Sequence, residues 1–551
     1  MNTNSPTGFV ERIAQRVILL EGWPRLALAF VSGALSALSL APYHAFPLLL
    51  ITVPVLIWLL DGALPESSSS GFWGGLRRLL PGFKVGWWFG FGYFLAGFWW
   101  VGKAFLVDAE DFAFLLPFAV LALPAGLALF WGIGGMLAQL VWSERAIRVV
   151  GFAASFTLAE WLRGSLLTGL PWNMPGYAAM PTPLLMQSAS LIGLYGMTFL
   201  TLLVAASPAV IGARSVSKNG ARNIIAVAAV ICVAHVGFGV WTLAGAKKTY
   251  VEDIKLRIVQ PALNQSEKWD VSKEAQIMAR YFELSNANKG PEVASVSAFT
   301  HVIWPESAFP FILSKRADQL ANIAQLLPPT TSLITGAMRL EPAANSDELP
   351  KVFNSLYVIN GDGETVAARD KVRLLPFGEF LPFQDFLEGL GFQQLTRLRG
   401  GFAAGHKRAV VDIPGTPTFL PLICYEIIYS GRIHAAQGAS GPQPKWIVNL
   451  TNDAWFGMTA GPYQHAHQAQ VRAVEEGLPV VRAANNGISF VTDAYGRIEE
   501  SLSLGQRGVV DSHLPVARSF TMFRHMGNMP ILIFVCLIML SLLFLGRNQL
   551  N

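Results

Sequence analysis

Charge is scarce in this chain. Asp, Glu, Lys and Arg together make up 14% of its 551 residues, against about a quarter in an average soluble protein, and with 52% hydrophobic residues it cannot be wholly water-exposed. The cation excess is also small, 41 Lys and Arg against 36 Asp and Glu. It is scattered through short loops instead of forming a stripe, which excludes a nucleic-acid footprint. Cysteine is rarer still. Cys232, Cys424 and Cys536 lie far apart, so no disulfide framework or zinc-ligand spacing can be built from them.

Long apolar runs are abundant. Leu26–Pro42, Phe46–Leu60, Val85–Val101, Phe112–Val141, Val149–Leu162, Pro183–Gly212, Asn223–Leu243 and Met529–Gly546 each approach or exceed the length that crosses a hydrocarbon core about 30 Å thick. If these eight runs alternate direction, Arg12, Arg16, Arg77, Arg78, Lys84, Arg145, Arg148, Arg214, Lys218, Arg222 and Arg547 fall on one side, with Lys103 and Arg163 on the other. The positive-inside rule then puts both termini in the cytoplasm and the segment from Ala246 to Asn528 outside it, in the periplasm. The first run carries an Ala-Leu-Ser-Leu-Ala stretch like a signal-peptide cleavage region. Removing it would reverse the cation pattern, so it is read as a span. Glu160 and Arg163 in the fifth run are costly at that depth unless paired or facing a polar cavity; a structural ion pair is expected, with substrate contact as the alternative. The Gly- and Trp-rich patches at Gly86–Gly92, Trp99–Trp100, Trp161 and Trp172 read as interfacial aromatic belts, or as a groove for an acyl chain.

From Ala246 the pattern changes to apolar runs of five to eight residues between polar helical stretches. Leu256–Gln260, Val302–Pro305, Ser332–Ala337, Ser355–Ile359, Phe419–Cys424, Trp446–Leu450, Val480–Ala484 and Ile488–Val491 predict strands. Lys273–Asn288 and Pro462–Glu476 predict helices. Asn360–Glu364 and Asp493–Arg497 carry turn chemistry between strand pairs. The expectation is therefore a membrane domain over residues 1–245, an extracytoplasmic α/β domain over 246–528, and a last transmembrane helix with a short cytoplasmic tail over 529–551.

Four places in the α/β segment look wrong for a mere scaffold. Glu306 ends a strand between two prolines, Pro305 and Pro310, which stiffen the backbone around a potential base. Lys371 stands eight residues before Glu379 in a Pro/Gly-rich loop, where an ammonium can face a developing oxyanion. Cys424 ends an apolar strand, followed by Tyr425 and Glu426. On its own it reads as a small buried hydrophobe, but a nearby ammonium and a carboxylate able to take its proton would make it a nucleophile. Asn449–Gly457 closes a strand into a polar turn before a helix with His465 and His467, whose spacing does not suit a metal pair.

The strings Trp-Pro-Glu306, Asp-Lys371-Val-Arg-Leu-Leu-Pro-Phe-Gly-Glu379, Ile-Cys424-Tyr-Glu and Asn449-Leu-Thr-Asn-Asp-Ala-Trp-Phe-Gly, in that order, resemble the nitrilase (carbon–nitrogen hydrolase) superfamily. Seven spans before such a domain and one after it resemble the apolipoprotein N-acyltransferase family. The resemblance implies a four-layer αββα sandwich, with Glu306 as general base, Lys371 as oxyanion stabiliser, Cys424 as nucleophile and Glu379 as a second essential carboxylate. Trp269, Tyr425 and Glu426 match supporting positions. It also implies an inner-membrane enzyme without cofactor or metal, expected to act as a monomer. The acyl donor would be a phospholipid, preferentially phosphatidylethanolamine, and the acceptor a diacylglyceryl-apolipoprotein. Phe383–Phe402, with Phe386, Leu387, Leu390 and Phe392, is an apolar Gly-rich loop expected to form a lid dipping into the outer leaflet. Two rivals are a membrane-anchored amidase that resolves a thioester with water, and a transporter, which leaves the Glu–Lys–Cys order unexplained.

Overall fold

The computed structural model describes residues 8–63, 72–213, 216–268, 270–287, 295–343, 350–389, 394–396, 398, 400–431 and 442–547. The chain forms two compact units, one of Met1–Gly102, Leu116–Gly245 and His525–Asn551, the other of Lys103–Leu115 and Ala246–Arg524.

The first unit is helical, with long helices at Gly22–Ser36, Leu49–Asp61, Phe72–Phe98, Leu116–Leu140, Arg148–Arg163, Ala189–Ala206, Lys218–Ala244 and Met529–Arg547. Among the described residues, three apolar stretches are long enough to cross a membrane: Ala109–Leu140, Ala189–Gly212 and Lys218–Ala244. Phe46–Asp61 and Met529–Leu545 are apolar but shorter. The run read as Pro183–Gly212 is interrupted, because Gly193 leaves helical geometry at φ 63°. Glu160 and Arg163 form a fully buried ion pair. Trp131 Nε1 donates to Glu160, and Arg163 donates to the Leu170 carbonyl and stacks on Phe94. The cost of burying these charges is thus met internally, as a structural pair requires.

The Gly-rich patch is a packing surface. A Cβ on Gly33 would lie 1.9 Å from the Phe89 carbonyl oxygen, on Gly92 2.0 Å from that of Phe30, on Gly86 2.3 Å from that of Trp131, and on Gly135 2.2 Å from that of Gly82. Small residues therefore let the helices Gly22–Ser36, Phe72–Phe98 and Leu116–Leu140 meet backbone to backbone. Of the aromatics between them Phe89, Tyr93 and Trp131 are buried, Trp131 stacking on Phe89 and Tyr93 with centroids 5.6 and 4.8 Å apart, whereas Trp87 and Trp88 are half-buried.

The second unit holds twelve strands among the described residues: β1 Tyr250–Gln260, β2 His301–Ile303, β3 Ser332–Glu341, β4 Lys351–Ile359, β5 Thr365–Asp370, β6 Val411–Ile413, β7 Thr416–Ile423, β8 Trp446–Thr451, β9 Val480–Ala484, β10 Ser489–Thr492, β11 Ile498–Leu502 and β12 Gly508–Pro515. They form two six-stranded sheets ordered β12-β1-β2-β3-β4-β5 and β11-β10-β9-β8-β7-β6. β1, β2 and β3 run parallel, as do β7, β8 and β9. These central strands are apolar on both faces because both faces are covered. The sheets pack on each other, β1 against β9 and β4 against β7. Helices Glu274–Ser285 and Ala317–Leu326 bury Ile277, Met278, Tyr281 and Ile323 with Val302, Trp304 and Leu333 of the first sheet. Helix Ala460–Glu476 covers β9. The layers are helix, sheet, sheet, helix.

Every predicted strand and both predicted helices are present, Val480–Ala484 with the predicted ends and the others with shifted ones. The turns at Asn360 and Asp493 are Asx turns: Asn360 Oδ1 accepts from the Asp362 and Glu364 amides, and Asp493 Oδ1 from those of Tyr495 and Arg497. Gly135→Val is expected to destabilise the detergent-purified protein by about 1–3 kcal/mol, read as an earlier thermal unfolding transition. Gly126→Val on the same helix, where an added Cβ would meet nothing within 4 Å, should leave the transition in place.

Candidate active site

The parallel strands β2 and β7 run into turns that carry Glu306 and Cys424, and the loop after β5 carries Lys371 and Glu379. β2 runs into Trp304-Pro305-Glu306. Ser307 takes a left-handed φ of 48°, and the turn hooks onto β3: Gly336 N donates to Pro305 O at 3.2 Å, and Ala308 N to Gly336 O at 2.8 Å. A Cβ at Gly336 would lie 2.6 Å from both Glu306 Cα and Ser307 N, so only glycine fits beneath the carboxylate.

The β4–β5 hairpin brings the next groups. Asn354 on β4 donates through Nδ2 to Glu306 Oε1 at 2.7 Å and to Glu379 Oε1 at 3.0 Å. Lys371, just past β5, donates its backbone N–H to Asn354 O at 2.8 Å. Its Nζ lies 2.9 Å from Glu379 Oε1 and 3.5 Å from Glu306 Oε1. Glu379 Oε2 accepts from Leu375 N at 2.8 Å, folding the loop back on itself. Two buried carboxylates thus share one ammonium and one amide.

Cys424 follows β7 with a left-handed φ of 52° and is 9% exposed. Its carbonyl accepts from Asn449 Nδ2 at 3.1 Å, and its thiol is hydrogen-bonded to Thr451. Glu426 couples this turn to the lysine loop. Its Oε1 accepts from Val372 N and Arg373 N, each at 3.1 Å, and from Arg408 Nη2 at 2.6 Å, while Oε2 accepts from Ile423 N at 2.9 Å. Tyr425 donates its hydroxyl to Leu374 O and presents its ring 5.4 Å from Lys371 Nζ.

Beneath Cys424 lies a second polar network. Arg482 donates to Asn449 Oδ1 and, at 2.7 Å, to Asp453 Oδ2. His465 Nδ1 is 2.9 Å from Asp453 Oδ1. All four side chains are buried. Burial raises the Asp453 carboxyl, but Arg482 and His465 outweigh it and hold it at about 2. Burial and the Arg482 charge keep His465 below its ordinary value, so it is a neutral ring orienting the turn.

The electrostatics of the cluster favour a protonated sulfur at rest. Burial, then the Glu306 carboxylate, push the Cys424 thiol up to about 12 against the pull of Lys371. At pH 7 the thiolate fraction is about one in 10⁵. Burial works against the Lys371 charge, but Glu379 and Glu306 prevail and hold the ammonium above its ordinary value.

The structure brings Glu306, Lys371, Glu379, Cys424, Tyr425 and Glu426 together. Phe386 is exposed and Leu387 half-buried on the short helix Gln384–Gly389. Trp269, Leu390 and Phe392 lie outside the described residues. The base of that loop is tied to the cluster, with Phe402 N donating to Glu379 O and Gly405 N to Lys371 O, both at 2.8 Å.

The family model for the apolipoprotein N-acyltransferase N-terminal domain matches residues 32–207, and that for carbon–nitrogen hydrolases residues 255–519. An apolipoprotein N-acyltransferase of Rhodopseudomonas palustris is 44% identical over 541 residues, covering 98% of each chain. That of Bradyrhizobium diazoefficiens is 48% identical over 531 residues, covering 96% of this chain and 97% of its own. The chain belongs to the apolipoprotein N-acyltransferase family. Among solved structures, an amidase from Nesterenkonia sp. is similar over 48% of this chain and 92% of its own, at 15% identity and a TM-score of 0.30.

Within this N-acyltransferase unit, sequence reasoning missed Asn354, Lys268 and Arg482. Asn354 left a signal, an amide inside an otherwise apolar strand, where it must find buried partners. Lys268 and Arg482 left none that spacing could separate from a surface cation.

Glu426→Gln should lower kcat for acyl transfer about tenfold or more, since a charge-assisted hydrogen bond of about 1.5–3 kcal/mol to Arg408 is weakened and both turns loosen. Alkylation of Cys424 by iodoacetamide, followed on its own peptide by mass, should accelerate about tenfold per pH unit from about pH 6 to 7.5. A plateau in that range would instead mark a preformed thiolate.

Proposed function

We propose that Cys424 carries the acyl chain during N-acylation of apolipoproteins, with Glu306 as base and Lys371 as oxyanion stabiliser. The observation behind this reading is the Glu306–Lys371–Glu379 cluster, with separations of 3.5 and 2.9 Å, beside a buried cysteine at a strand end. Because the thiol rests protonated, Glu306 takes its proton as the sulfur attacks the sn-1 ester carbonyl of a phospholipid, preferentially phosphatidylethanolamine. The Lys371 ammonium and a backbone N–H stabilise the tetrahedral oxyanion. Collapse returns the proton to the departing glycerol oxygen, releases lysophospholipid and leaves a thioester on Cys424.

In the second half the α-amine of a diacylglyceryl-cysteine attacks that thioester. The new C–N bond replaces the C–S bond, Glu306 accepts the amine proton, and it passes to the sulfur. Glu379 keeps Lys371 in place and charged, the Tyr425 ring backs the ammonium, and Glu426 fixes both turns; Trp269 supports the site as the resemblance implies. The same Cys424 serves both substrates in turn.

The eight apolar helices span the bacterial inner membrane with both termini cytoplasmic and the hydrolase-like unit periplasmic. Both substrates carry acyl chains, and lifting a chain into water costs about 0.8 kcal/mol per CH₂, so a site for them opens toward lipid. The exposed Phe383 and Phe386 suit a lid that touches the outer leaflet.

Incubating the detergent-purified protein with phosphatidylethanolamine and no acceptor should add the mass of the sn-1 chain, labile to hydroxylamine, and a diacylglyceryl-peptide should discharge it as an amide. Cys424→Ala should show no adduct and Glu306→Gln a slowed one. An adduct that persists in the Ala variant removes Cys424 from the mechanism.

A further inference from the structure

Lys268 and Lys371 are the two buried lysines among the described residues, at 1% and 2% exposure. Lys371 has two carboxylates; among the described residues Lys268 has none within ion-pair distance. Its Nζ donates to the backbone oxygen of Glu306 at 2.8 Å. Burying an ammonium without a paired carboxylate costs several kcal/mol, so its position calls for a reason beyond holding one carbonyl.

The segment that carries it is fixed from the other side of the site. Lys268 ends the short helix Gln265–Lys268. Gln265 Oε1 accepts from Asn452 Nδ2 at 2.6 Å, and Asn485 Nδ2 donates to both Asn452 Oδ1 and Leu263 O at 3.0 Å. The lysine is thus held between the turn after β8 and the turn that presents Glu306. Lys268 lies within electrostatic reach of Glu306 and of Cys424.

Charge balance supplies the reason. The site sets two carboxyl groups, Glu306 and Glu379, against the single ammonium of Lys371; Lys268 supplies a second cation beside them, matching their number. When the Cys424 proton moves to Glu306, that carboxyl becomes neutral and the sulfur carries the negative charge, which then passes to the oxyanion. The site stays neutral through the whole transfer only if Lys268 is charged. Without it, a buried net negative charge would oppose every one of these states.

We infer that Lys268 is a positioning residue for acyl transfer, clamping the Glu306 turn through its backbone carbonyl and balancing, as the second ammonium of the site, the charge that develops on Cys424. The inference rests on Cys424 being the nucleophile. Its pH signature has a definite sign. Burial lowers Lys268 to about 8 against the pull of Glu306, so the ammonium is present below that pH and lost above it. Lys371 is held higher and the thiol lies near 12, so neither titrates there. A neutral amine still donates to the Glu306 carbonyl, so a pH effect reads the charge and not the clamp.

The test is the single-turnover rate of acyl-enzyme formation from phosphatidylethanolamine, read by intact mass on the full-length detergent-purified protein between pH 6.5 and 9.5. The wild-type rate should fall up to about tenfold per pH unit above pH 8. Lys268→Arg, which keeps its charge, should have no such fall, and Lys268→Met should be at least about tenfold slower at pH 7 and also lack it. A wild-type rate without the fall, or a fall retained in either variant, would overturn the inference. If Lys268→Met does not fold, by its thermal transition, the comparison of wild type with Lys268→Arg still decides. An absent adduct in wild type at every pH would instead overturn the Cys424 assignment itself.

Discussion

Two carboxylates buried against one ammonium are the constraint on which the hydrolase-like unit depends. Like charges so close cannot both stay ionised in a low-dielectric interior unless cations and hydrogen-bond donors compensate them. Lys371 and Asn354 do so from opposite ends of one hairpin connection, with Nζ 2.9 Å and Nδ2 3.0 Å from the same Glu379 oxygen. The β4–β5 pairing sets that geometry, since Ser355 faces Asp370 in register and so puts their neighbours Asn354 and Lys371 side by side. Glu306 enters from the parallel strand β2, and the hook onto Gly336 fixes its height.

The cysteine obeys a different logic. Its turn is strained, with φ at 52°, a conformation that costs a non-glycine residue of order 1–3 kcal/mol and persists where surroundings over-determine it. Those surroundings are the Asn449, Arg482, Asp453 and His465 network and the four donors gathered by Glu426. Cys232 and Cys536, by contrast, are exposed on apolar helices.

The central strands were legible because both of their faces are buried and their apolar runs are continuous. Thr365–Asp370 and Ile498–Leu502 were anticipated only as the far arms of turns, since edge strands with one wet face mix charges with apolar residues. Val411–Ile413 is too short to show a period. Gly508–Pro515 carries Asp511, Ser512 and His513, and Arg257 pairs with Asp511 at 2.8 Å, a cross-strand ion pair that spacing cannot reveal. The order of the candidate residues Glu306, Lys371 and Cys424 was legible as short strings and their resemblance to a family. What was not legible is what tertiary pairing alone creates: Asn354 between two carboxylates, Lys268 under Glu306, and glycines in helices that meet backbone to backbone.

The pairing of β1 with β12 is antiparallel, with Tyr250 opposite Pro515 and Val259 opposite Val509. The first strand of the unit to leave the ribosome is therefore completed by the last, roughly 250 residues later. At about 5–20 residues per second, one edge of β1 waits for roughly ten to fifty seconds without its neighbour. During that interval its buried-face residues Leu256 and Ile258 stand at an open, apolar sheet edge, the kind that recruits foreign strands. The unit thus cannot close on itself until nearly all of it has been synthesised, and its vulnerability during biogenesis is set by the distance in time between its two ends.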